Sequence, residues 1–89
     1  MIEFDDVKRE ITLFTRCLDM ARANEIFEAS HMDQIDYRKN YGEVRVFSFG
    51  YLDNTPVVVV WTYRGIKRRI ISLRRANERE IKKYAGRMG

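Results

Sequence analysis

The run Val57-Val58-Val59-Val60-Trp61-Thr62 is β-branched or aromatic throughout and apolar on both faces of any strand it forms. Strand side chains alternate between two faces, so a run without a polar face belongs in the middle of a sheet. Turn signals bracket it: Asp53-Asn54-Thr55-Pro56 before and Arg64-Gly65 after. Upstream, residues 43 to 51 alternate, with Arg45, Phe47, Phe49 and Tyr51 opposite Val44, Val46 and Ser48. Downstream, residues 67 to 73 form a last strand. Alternation places Lys67, Arg69, Ile71 and Leu73 on one face and Arg68, Ile70 and Ser72 on the other. Residues 32 to 38 read as a weak edge strand with Ile35 and Tyr37 as its apolar positions, followed by a turn at Lys39-Asn40-Tyr41-Gly42. Short connections between such strands imply an antiparallel meander.

Helical spacing occupies the two ends of the chain. Val7, Ile11 and Phe14 predict a helix over residues 6 to 16, capped by Asp5 or Asp6. Asp19 caps a second helix over residues 20 to 29, with Met20, Ala23, Ile26 and Phe27 as its apolar face. A final helix spans residues 76 to 85. Met20 and the phenylalanines read as core. The expected fold is a single α+β domain over residues 1 to 89. It has two N-terminal helices, an antiparallel sheet of three to four strands packed by helices on one side, and a C-terminal helix.

Charge is divided along the chain. Residues 64 to 89 carry ten basic and two acidic residues, a net of +8, whereas residues 1 to 63 net −4. Positive charge at that density attracts polyanions, of which nucleic acids are the commonest. One cysteine, Cys17, excludes an internal disulfide and a cysteine metal site. It reads as a helix-end or packing thiol. One histidine, His31, excludes a histidine pair within one chain and reads as an exposed loop residue. The glycines are too scattered for a phosphate loop. No apolar run reaches membrane-spanning length, and the start of the chain lacks the pattern of a signal peptide. The expected setting is the cytoplasm, with no cofactor and no metal.

Arginine, lysine, tyrosine and glutamate remain, and they suit RNA cleavage. RNA carries its own nucleophile, the 2′-hydroxyl. An enzyme then needs a proton acceptor, a cation for the charge on phosphorus and a proton donor for the leaving oxygen. Arginine fits the middle role, because its planar fork matches phosphate. Arg64, Arg69, Arg74 and Arg75 are the candidate phosphate cations, with Lys8 and Arg16 approaching from the N-terminal helices. Glu78, Arg79 and Tyr84 are candidates for proton transfer or substrate binding, and Arg68, Lys82 and Lys83 for RNA contact. The start of the last helix adds a phosphate-attracting end. Tyr37, Tyr41, Tyr51, Trp61 and Tyr63 serve either base stacking or packing. A solvated basic face or a non-catalytic nucleic-acid-binding module fits the same charges.

The run Arg69-Ile70-Ile71-Ser72-Leu73-Arg74-Arg75-Ala76-Asn77-Glu78-Arg79-Glu80, followed by Lys83-Tyr84, resembles the C-terminal signature of the BrnT toxins. Phe4-Asp5 with Lys8, Glu43 and Arg45 followed by Gly50, and Val58 to Thr62 with Arg64 match other family features in order. The chain departs from the family at Thr15, Arg16 and Cys17, where many members carry Lys-His-Gly. Arg16 is the remaining cation there, and Cys17 stands where glycine suggests a left-handed helix end. The resemblance implies a RelE-like fold and metal-independent RNA cleavage that arrests translation. It also implies neutralisation by a BrnA-type antitoxin in a two-plus-two heterotetramer, which represses its own operon through the antitoxin's DNA-binding domain.

Overall fold

The computed structural model describes residues 1–38 and 42–87. Strand β1 (Ile2–Glu3) leads into helix α1 (Asp6–Arg16), a 3-10 turn (Met20–Arg22) and helix α2 (Ala23–Glu28). Strands β2 (Met32–Ile35), β3 (Arg45–Leu52), β4 (Thr55–Arg64) and β5 (Lys67–Arg75) follow, then helix α3 (Glu78–Tyr84) and a 3-10 turn (Ala85–Arg87). The expected turn residues Lys39, Asn40 and Tyr41 lie outside the described residues.

The strands form one five-stranded sheet in the order β1-β5-β4-β3-β2. The meander β2 to β5 is antiparallel, as expected. The sheet as a whole is mixed, because β1 joins β5 in parallel with Ile2 opposite Arg68 and Glu3 opposite Arg69. Two residues carry no readable period, so the sequence expectation of a purely antiparallel sheet missed this strand.

Residues 57 to 62 lie buried in β4, inside the sheet. Val57, Val59 and Trp61 pack with Leu18, Met20, Ala23 and Ile26 on one face. Val58 and Val60 pack with Phe49 and Tyr84 on the other, against Ile81 and Ala85. Helices therefore cover both faces, correcting the expectation of cover on one side. A strand apolar on both faces requires a second layer. At Gly50 a β-carbon would stand 2.7 Å from Ile26 Cγ2, so glycine lets α2 approach β3 this closely.

The loops follow the turn chemistry. Asp53 and Asn54 both have positive φ and form a two-residue link between paired Leu52 and Thr55. Pro56, expected in that turn, lies in β4 opposite Tyr51. Between β4 and β5 the register slips: Val60 faces Ser72, but Trp61 faces Ile70. The extra residue in β5 breaks strict alternation. Ile70 and Leu73 thus share the α2-side core, whereas Ile71 packs on the α3 side. Arg69 and Arg74 then fall on the α3 side, with Arg68 and Arg75 on the other.

Helix α1 starts where expected. The Asp5 carboxylate accepts from the Val7 and Lys8 amides at 2.9 and 3.0 Å. Its packing is the reverse of the expectation. Thr12 is buried, Arg9 binds Asp19 through two hydrogen bonds, and Arg16 Nη1 donates to Leu73 O at 2.8 Å. Val7, Ile11 and Phe14 are instead 64%, 57% and 89% exposed. Phe14 is therefore not core, and polar anchors at positions 9 and 16, with Thr12 buried between them, orient the helix. Cys17 closes it at φ 57°, ψ 32°, the left-handed conformation expected from a glycine position, with its thiol exposed.

Candidate functional site

Cross-strand register gathers basic residues on the α3 side of the sheet. Glu3, Arg69, Thr62 and Arg45 lie in one row across β1, β5, β4 and β3. The Asp36 amide donates to Arg45 O at 2.8 Å and extends the row past the end of β2. The Asp36 carboxylate is buried and accepts from Arg38 Nε and Nη2 at 2.8 and 2.7 Å. Arg45 pairs with Glu43 at 3.1 Å. Beyond the row, Arg64 and Lys67 are paired across the hairpin end and share the Arg69 side by alternation. Both are exposed, and neither forms an ion pair among the described residues. Among the described residues Arg69 has a loose ion pair with Glu3 at 3.9 Å and lies within electrostatic reach of Asp5; its planar fork suits a phosphate.

Arg74 lies on the same side but is committed. Its two terminal nitrogens donate to both Glu80 oxygens at 2.8 Å. Glu80 also accepts from the Asn77 amide while its own amide donates to Asn77 Oδ1, which completes a capping box. The Arg74 hydrogen bonds hold the Glu80 carboxyl below the usual carboxylate range, and the nearby Arg38 charge adds to this. The Arg38 charge thus reaches the Arg74–Glu80 pair at the start of α3. The expected phosphate-attracting helix end is occupied by this box rather than left open.

The remaining sequence candidates separate from this surface. Arg68 lies on the opposite face, its guanidinium 4.2 Å from the Phe27 ring centroid and 5.0 Å from that of Trp61. Arg75 donates to Arg16 O at 2.7 Å, reciprocating the Arg16 bond to Leu73 O, so both arginines fasten the end of α1 to β5. Lys8 is exposed on α1. Glu78, Arg79 and Lys82 line a shallow depression with Asn77. The Lys83 ammonium stands 5.2 Å from the Tyr84 ring centroid. Tyr84 itself is buried, and its hydroxyl donates to Gln34 Oε1 at 2.8 Å, which gives the ring a packing role.

Among the aromatic candidates, Tyr37, Tyr51 and Tyr63 are exposed. Trp61 is buried and donates to Ser48 Oγ at 2.9 Å, and Tyr41 lies outside the described residues. His31 is half-buried, with Nδ1 2.8 Å from Ala29 O. Sequence reasoning did not single out Arg38, Asp36 or Arg45 as site residues. Arg45 was on the correct face by alternation, but Arg38 follows a weak strand whose pairing left no periodic signal. No helix of the described residues is long and apolar enough to cross a membrane.

A family model described as "Ribonuclease toxin, BrnT, of type II toxin-antitoxin system" matches residues 4–80. No significant match to a curated protein is found. The match spans most of the chain, including the Arg69–Thr62–Arg45 row and the Arg74–Glu80 cap. The chain belongs to the BrnT family of ribonuclease toxins of type II toxin–antitoxin systems.

Proposed function

We propose that the basic end of the α3-side sheet face, around Arg45, Arg64, Lys67 and Arg69, holds RNA and promotes its cleavage by the 2′-hydroxyl, without a metal, so that translation stops. The observation that carries this reading is the row of Arg69 and Arg45 beside the exposed Arg64 and Lys67, which form no ion pair among the described residues. Arg64 and Lys67 contact the backbone phosphates, and Arg69 meets the scissile phosphate. The 2′-oxygen forms a bond to phosphorus as the bond to the 5′-oxygen breaks. The 2′-proton passes to a basic group, and the leaving 5′-oxygen takes up a proton, giving a 2′,3′-cyclic phosphate. Arginine stabilises the extra negative charge at the transition state. Glu78 lines the depression at the start of α3, apart from the arginine row, and Glu80 is committed to Arg74, so neither is assigned to proton transfer.

The RelE-like fold and mechanism in this reading come from the family. So do the partner proposals: a BrnA-type antitoxin, a two-plus-two complex and repression of the operon through the antitoxin. Cleavage kinetics of Arg69→Ala and Arg64→Ala test the assignment. Loss of one transition-state cation lowers the rate about 100-fold or more, whereas loss of a backbone contact weakens binding and flattens its salt dependence. Unchanged cleavage in both variants, with folding intact, would remove these residues from the site.

A further inference from the structure

Helix α1 carries its apolar stripe on the outside. Val7, Ile11 and Phe14 follow i, i+4, i+7 spacing, are 64%, 57% and 89% exposed, and lie opposite the buried Thr12. The inward side of the helix is polar and fully engaged. Arg9 holds Asp19, and Arg16 holds Leu73 O while its own carbonyl accepts from Arg75. The helix therefore cannot roll to bury the stripe without breaking three sets of polar contacts. A stripe held outward in this way forms a contiguous apolar surface for another chain.

We propose that this stripe anchors the antitoxin through an amphipathic, basic-flanked helix, an assignment that rests on the toxin–antitoxin reading above. Charge selects the occupant. Asp6 and Glu10 run along one flank at i, i+4 spacing, and neither forms an ion pair among the described residues. That flank repels RNA and favours a Lys- or Arg-bearing segment. Three exposed side chains supply only part of the ~800 Å² that each partner buries in a standard interface. The stripe thus serves as the centre of a larger contact rather than as a whole dimer interface. A helix laid into it reads as the helix-in-groove mode of recognition, with aliphatic anchors against Phe14.

The stripe and the RNA-binding face use different elements, α1 for one and the α3 side of β3 to β5 for the other. Antitoxin capture at α1 therefore does not by itself block the arginine row. Neutralisation requires a second antitoxin segment that reaches that face, its affinity raised by tethering at α1.

The test is binding of the purified cognate antitoxin to the full chain and to the double variant Ile11→Ser/Phe14→Ser, measured by isothermal titration calorimetry. RNA cleavage and thermal melting are measured on the same samples. Because both residues are exposed, the variant melts as the wild type does. The expected result is antitoxin affinity at least 30-fold weaker, with RNA cleavage retained. Wild-type affinity in the double variant would overturn the proposal, as would a wild-type dimer in sedimentation that the substitutions dissociate. An Asp6→Lys/Glu10→Lys variant should weaken binding with the stripe intact, and unchanged affinity there would overturn the basic-flank assignment. Loss of antitoxin binding with no RNA cleavage in the wild type would leave the anchor standing and refute the ribonuclease reading instead. No binding by the wild-type chain would overturn the antitoxin as occupant.

Discussion

Replacing Cys17 by glycine should stabilise the protein. Cys17 ends α1 at φ 57°, ψ 32°, with its amide donating to Leu13 O at 3.0 Å. A side chain in the left-handed region costs about 1–2 kcal/mol, which glycine avoids. Glycine also widens the unfolded ensemble, an opposing effect of about 0.4–1 kcal/mol. The difference spans about 0 to 1.6 kcal/mol, centred on a net gain of about 0.8 kcal/mol. In a chain of this size that raises Tm by about 2–8 °C. The strain persists in the present sequence because Arg16 and Arg75 hold the helix end to β5 from both sides. The assay is thermal melting under reducing conditions, with Cys17→Ala as the control. Alanine removes the thiol but keeps the β-carbon, so its Tm should stay near that of the wild type. Equal gains from glycine and alanine would refute backbone strain as the cause, and no gain from glycine would refute it outright.

Three further outcomes follow from the packing. Gly50→Ala forces a β-carbon toward Ile26 Cγ2 and should destabilise by about 1–3 kcal/mol in urea melts. Arg16→Ala and Arg75→Ala should each cost about 1–2 kcal/mol, and the double variant should cost less than their sum, since both act at one helix end. Glu80→Gln keeps the cap acceptor but removes the charge facing Arg74, and should cost about 1–2 kcal/mol at pH 7. The folded Glu80 carboxyl titrates below its unfolded value, so its contribution is fully present above about pH 4.3 and is lost as pH falls through the lower folded value. Wild type and Glu80→Gln should therefore converge in stability once pH falls below the lowered folded value, and a gap that persists down to the acid limit contradicts the ion pair.

Much of the fold was legible where a single rule governed it. The all-apolar Val57 to Thr62 run fixed the central strand, Asp53-Asn54 and Gly65 fixed the hairpin links, and Asp5 fixed the start of α1, whereas Asp19 caps a 3-10 turn over Met20–Arg22 rather than a helix running from 20 to 29. The misses have physical causes. Strand β1 is too short for a period, and the bulge in β5 reassigns faces that strict alternation had placed. The stripe Val7, Ile11 and Phe14 signals an amphipathic helix correctly, yet periodicity does not say which side turns inward. Arg9 and Arg16 decide that through contacts 10 and 57 residues away in sequence. The same limit applies to the site. The basic C-terminal segment was visible, but its arginines divide between anchoring backbone, stacking on Trp61, capping α3 and facing solvent.

The most direct test of the ribonuclease account is the chemistry of the cut ends. The purified protein is incubated with end-labelled RNA in EDTA, with and without its antitoxin, and the fragment termini are resolved. The account predicts 2′,3′-cyclic phosphate or 3′-phosphate ends, formed in the chelator and suppressed by the antitoxin. Fragments with 3′-hydroxyl ends, or RNA left intact both free and on translating ribosomes, would contradict it.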